Sequence, residues 1–277
     1  MMELRVILDI ALHELKINIR NRWTTIFAVV FGLLVTSIAY FGLMTEGYAG
    51  MQNFTRTSAS LLNLVLYIVP LVALTMGTLS FTGDRGSMEL LFSQPLSRAE
   101  VVVGKLLGVF LSIAIATLMG FTVGGVLVVA GNGPAGLSRY AAMVSLSLLL
   151  ALAFLALALL VATIAHRKSR AIGVSLFLWF YFVLFYDLLA ISLTLFLRGE
   201  GGNIAIFLSV FGNPVDMVRV ATLILLDNVT IFGAAGAAML RFLGGTAAAI
   251  SAVIVGLALW VMVPVTISCA LLRRQDI

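Results

Sequence analysis

The sequence predicts an all-α polytopic membrane protein: six transmembrane helices behind an N-terminal interfacial helix, with a short cytoplasmic helix after span two and outer re-entrant helices between spans five and six. Three observations predict it. Hydrophobic residues make up 62% of the 277 and charged residues only 10%, with a mean hydropathy of +1.15, far from the composition of a water-soluble domain. The apolar residues gather into runs at about 24–44, 60–82, 101–130, 140–165, 171–197 and 246–272. Each run meets the ~20 residues that a ~30 Å hydrocarbon core requires. The basic residues alternate in density between those runs. Twelve of the 17 Lys and Arg fall on one side, in the N-terminal segment, the connections after spans two and four, and the C-terminus, so both termini are expected in the cytoplasm of a cell whose inner membrane the chain spans.

The elements follow in order as one transmembrane domain, 1–277. Residues 1–23 keep helical spacing, with Leu4, Ile7, Leu8, Ala11, Leu12, Leu15 and Ile19 on one side and Glu3, Arg5, Asp9, Glu14, Lys16 and Arg20 on others, the pattern of a helix lying in the membrane interface. Those early acidic residues also exclude a cleavable signal peptide. Among the outer connections, 45–59 and 198–245 are substantial, and 131–138 is a turn. The 198–245 stretch is too apolar for a loop and too interrupted for two clean spans. Within it Asn213-Pro214 reads as an N-cap followed by a first-turn proline. Asp216 and Arg219 then fall at i, i+3, near enough to pair. The expectation is helices that dip into the outer leaflet where protein covers their ends; two further spans, giving eight, are the alternative.

The polar island after span two, 84–105, is the cytoplasmic counterpart. Ser87 can cap a short helix whose Met88, Leu91 and Phe92 fall at i, i+3 and i+4. Pro95 ends it, and Ser97 with Glu100 makes the S-x-x-E capping box of the next helix.

Little in the chain supports catalysis. Histidines 13 and 166 lie in segments without a second ligand type, and Cys269 is alone, so neither a zinc site nor an internal disulfide is expected. The Met residues lack a repeated spacing that would favour copper over packing, and no basic block with interleaved aromatics suggests nucleic acid. Gly104-Lys105 is followed by Leu106, where a phosphate loop needs Ser or Thr, so the chain is not expected to hydrolyse ATP. Asp187 is the acidic residue well inside a span, after an aromatic cluster at 179–186. An intramembrane carboxylate is costly and faces either a cavity or a partner helix; substrate contact and a structural hydrogen bond both stay open. Gly120-x3-Gly124 offers a close-packing notch for self-association or for packing within the chain.

Six spans with both termini inside, an interfacial first helix and a helix–proline–capped-helix loop after span two resemble the permease subunit of the second class of ABC exporters. The resemblance rests on Gly86-Ser87-Met88-Glu89-Leu90-Leu91, then Gln94-Pro95-Leu96-Ser97-Arg98, then Gly104-Lys105. It implies that 84–100 is a coupling loop, with Gly86 to Phe92, Pro95, Ser97 and Arg98 docking on a separate ATPase subunit that binds ATP and Mg. The segment 12–23 (LHELKINIRNRW) and Asn213-Pro214-Val215-Asp216-Met217-Val218-Arg219 are similar to the NosY-type permeases of nitrous oxide reductase maturation. That branch implies a homodimer with two ATPase subunits inside and a periplasmic solenoid protein outside, docked near Asn213, Pro214, Asp216 and Arg219. It also implies a role in assembling the copper–sulfur centre, and Asp187, from its place inside a span, is the candidate on the substrate path. An exporter of a lipid, drug or peptide on the same fold is the alternative, and a scaffold relaying motion without transport is the alternative from another class.

Overall fold

The computed structural model describes residues 4–44, 52–82, 97–132, 136–165, 167–197, 200–226 and 233–274, and among them every regular element is helical. In order these are α1 (Leu4–Ile19), α2 (Arg22–Met44), α3 (Gln52–Thr82), α4 (Arg98–Asn132), α5 (Leu137–Ala165) and α6 (Lys168–Phe180). A π-helical turn, Tyr181–Phe185, leads into α7 (Tyr186–Phe196), and then come α8 (Glu200–Phe211), α9 (Pro214–Leu225), α10 (Gly233–Leu243) and α11 (Thr246–Arg274). Six stretches are long and apolar enough to span, starting at Arg22, Thr57, Arg98, Leu137, Lys168 and Thr246.

The fold is organised around α5. This helix is apolar all round, and residues from Tyr140 to Thr163 are buried on every face, the signature of a helix enclosed by others. It packs on α3, α11, α4 and α9. Its buried alanines 151, 153, 156 and 158 let those neighbours approach closely, as small residues do between membrane helices. The Tyr140 hydroxyl donates to the Phe121 carbonyl of α4 at 2.7 Å, so the polar end of a buried ring is satisfied. The open Gly120-x3-Gly124 question resolves within the chain: a Cβ at Gly120 would lie 2.8 Å from the Phe31 ring, and one at Gly124 2.5 Å from Val35. The notch is the seat of α2.

The start of α4 and the end of α11 meet, where the Arg98 guanidinium donates to the Leu272 carbonyl. The first half of α4 also carries α1. Both described ends of the chain therefore lie at one end of the bundle, here called the base. From the base α6–α7 runs outward and α11 runs back, so α8–α10 begin and end at the far side. The axes of α8 and α9 meet at 109°, and each helix has 12 residues, about 18 Å. Because α7 ends and α11 begins at the far side, an even number of crossings lies between them, so this corner is not a lone seventh span.

Two details differ from the sequence expectation. Helix α3 begins at Gln52, eight residues before the predicted 60, so the 45–59 connection is largely helix. Its polar first turns extend past the apolar run because Thr57 seats against Gly42, where a Cβ would meet Thr57 Oγ1 at 2.2 Å. The π-helical turn inside the fifth span was not predicted, since an apolar aromatic run reads the same in α and π periods.

Candidate functional site

Two polar stations sit at opposite ends of the bundle. At the base, α1 lies against α4 where Gly104 and Gly108 leave no side chain. A Cβ at Gly108 would fall 2.6 Å from the Ala11 carbonyl oxygen and 2.6 Å from Glu14 Cβ. This contact brings the Glu14 carboxylate between three helices. The Ser80 hydroxyl, in the last turn of α3, donates to it at 2.7 Å. Asn18 donates to it at 3.2 Å, and the Lys105 ammonium of α4 stands 3.9 Å away. Glu14 thus ties together the two helices that flank residues 83–96.

Ser97 and Glu100 form the reciprocal capping box at the start of α4. The Glu100 amide donates to Ser97 Oγ at 3.2 Å, and the Ser97 amide donates to Glu100 Oε2 at 3.0 Å. Arg98 reaches across to the last turn of α11, where a cation also complements the helix dipole. Gly86, Ser87, Met88, Glu89, Leu90, Leu91, Phe92 and Pro95 lie outside the described residues.

The far station gathers residues that the sequence presents as two separate features. Asn213 is fully buried, and its side-chain oxygen caps α9 by accepting from the Val215 amide at 2.9 Å. Its amide nitrogen donates to the Phe182 carbonyl of the π-helical turn at 2.9 Å and to Asp216 Oδ2 at 3.1 Å. Arg219 Nη1 donates to Asp216 Oδ1 at 2.7 Å and to Asp187 Oδ2 at 2.8 Å. One guanidinium therefore bridges two carboxylates, one on its own helix and one on the fifth span. The π-helical turn inserts an extra residue, rotating the remainder of the span by roughly 100° relative to a plain α-helix, and so sets which way Asp187 faces. Pro214 is buried beside Asn213.

The corner that presents this cluster is held from outside as well. The Tyr186 hydroxyl donates to the Ser209 carbonyl at 2.8 Å, and the Trp260 indole donates to the Phe211 carbonyl at 3.0 Å. Gly212 between them leaves room for the Tyr186 hydroxyl, which a Cβ there would meet at 2.1 Å. A cavity of about 530 Å³ opens beside the cluster, between α7 and α8, lined by Tyr181, Tyr186, Leu189, Leu193, Ile204 and Leu208 among others.

A profile described as "ABC-2 family transporter protein" matches residues 8–277. The chain belongs to the ABC-2 transporter family. A protein of Pseudomonas aeruginosa described as "Probable ABC transporter permease protein NosY" is 33% identical over 279 residues, covering 98% of this chain and 99% of that protein. A protein of Stutzerimonas stutzeri with the same description is 31% identical over 277 residues, covering 96% and 98%. The chain is accordingly a multi-pass membrane permease, the component of an ABC transporter that is not itself the ATPase.

Glu14 is the functional candidate that sequence reading missed. Its signal was present, because Glu14 continues the stripe of buried Ile7, Ala11 and Asn18 at i, i+4, i+7 and i+11. Leu4, Leu8 and Leu12 form a different face and remain exposed. The most regular apolar stripe on α1 is therefore not the one that packs on the protein.

Proposed function

We propose that this permease works as a homodimer driven by two ATPase subunits, which bind ATP and Mg, and that it serves copper–sulfur centre assembly of nitrous oxide reductase. It does so by exporting a sulfur species or by relaying ATP-driven motion to a periplasmic solenoid protein. The single observation that supports this most is the near-full-length similarity to two NosY-described permeases, together with the Asn213–Arg219 motif at the far station. The count of basic residues favours a cytoplasmic base, which puts the 84–100 loop on the ATPase side and 198–245 on the periplasmic side.

On this reading ATP-driven closure of the ATPases moves the 87–94 segment. Glu14 passes that movement to α1, α3 and α4 together, because it bonds Ser80 and faces Lys105. At the far side Arg219 fastens the α8–α9 corner to the fifth span through Asp187, so motion of that span reaches the surface where a periplasmic partner docks. Asn213 and Pro214, being buried, shape that surface rather than touch the partner. Asp187 serves this fastening whether the load is cargo or motion.

A strain lacking the permease gene tests the proposal. Nitrous oxide reductase purified from it should lack the copper–sulfur centre in its absorption spectrum, and the gene returned in trans should restore it. A reductase with its centre intact in the deletion strain would contradict the proposal.

A further inference from the structure

The turn between α5 and α6 carries a second cavity, of about 310 Å³, lined by Val161, Ile164, Ala165, Arg167, Arg170 and Val174. It combines two chemistries at one depth. Its walls are aliphatic and belong to two spans, while its rim carries both arginines, with Lys168 between them. No acidic residue occurs between Glu100 and Asp187, and among the described residues none of these three cations has an ion-pair partner. The N-cap of α6, Arg167, supplies no capping side chain, so the first-turn amides of α6 get no acceptor from that residue. Glu14 and Glu100, acidic groups at this end of the bundle, are engaged by Ser80 and Asn18 and by Ser97.

We propose that this turn binds an anionic phospholipid, the phosphate held by Arg167 and Arg170 and an acyl chain lying along Val161, Ile164 and Val174. The arrangement suits a lipid better than a free anion, because a soluble anion would have no use for the aliphatic walls. It suits an anionic lipid better than a zwitterionic one, because a choline group would meet unneutralised cations. The site shares no residue with either polar station and does not depend on what the permease transports.

The test is native mass spectrometry of the purified protein in detergent, titrated with phosphatidylglycerol or phosphatidylcholine. Wild-type protein should retain phosphatidylglycerol in clear preference. At the strength typical of a basic side chain near an anionic surface, each arginine is worth about fivefold in affinity, so Arg167→Gln with Arg170→Gln should weaken binding roughly 25-fold. Ile164→Trp keeps both arginines but fills the cavity, and should also weaken it. Arg241→Gln, at the far end, should change nothing. Circular dichroism of each variant verifies that the helices have formed. Equal retention of the two lipids by the wild type, or phosphatidylglycerol binding unchanged in both cavity variants, would overturn the proposal.

Discussion

Arg219→Met should release the α8–α9 corner from the fifth span and lower the unfolding temperature more than any other single change at the far side. The substitution preserves the aliphatic stem but leaves the Asp216 and Asp187 carboxylates, each within 2.8 Å of the guanidinium, without a counter-charge. Removing one partner of a buried ion pair costs about 3–5 kcal/mol. The side chains of Asp187 and Arg219 are 35% and 28% exposed, so the loss should fall toward the lower end of that range. The reason for the loss can be tested separately. Converting Asp187 and Asp216 to Asn in the Arg219→Met background removes both orphaned charges and should recover most of the stability. If the triple variant unfolds as early as the single one, the charge argument fails. If Arg219→Met leaves stability unchanged, the bridge contributes nothing.

Gly108→Val should lift α1 from α4. A Cβ at this position meets a backbone carbonyl oxygen, that of Ala11, at 2.6 Å, and a backbone atom cannot swing aside as a side-chain tip can. Overpacking in a filled interior costs about 1–3 kcal/mol, and a β-branched residue has the fewest rotamers with which to relieve it. The consequence extends past the contact itself. Displacing α1 withdraws Glu14 from Ser80 and Lys105, so the helices flanking 83–96 lose their common link. Limited proteolysis should cut α1 in the variant while the wild type resists, and, on the proposed function, the assembled transporter should hydrolyse ATP with less maturation of the reductase per ATP. Wild-type protection of α1 would contradict the packing argument. Proteolytic release with full maturation activity would instead contradict the transmission role of Glu14.

Legibility in the sequence tracks the physics of each feature. The spans were readable because a bilayer imposes length and hydropathy on consecutive residues, and all six begin within three residues of expectation. The capping box at Ser97 and Glu100 was readable because both its bonds are local. The Asp216–Arg219 pair was readable from its i, i+3 spacing for the same reason. The link from Arg219 to Asp187 was not, since it joins residues 32 apart through a π-helical turn that no periodicity announces. The base node was missed for a related reason. Glu14 reads as a polar residue on an amphipathic helix until Gly104 and Gly108, about ninety residues later, show which face meets protein. Asn213 was identified as a cap, but its donation to Phe182 depends on a backbone that only the folded span supplies.

On the proposed function, this permease is driven through the loop after its second span. The most direct measurement is co-purification of the ATPase subunit with a Glu89→Arg permease, at matched membrane insertion and with the same gel-filtration profile as the wild type. Glu89 is polar on a segment whose apolar side is Met88, Leu91 and Phe92, so reversing its charge should spare the membrane fold and alter the docking face alone. The ATPase should be lost from the purified complex. Recovery of the ATPase at wild-type yield would contradict it.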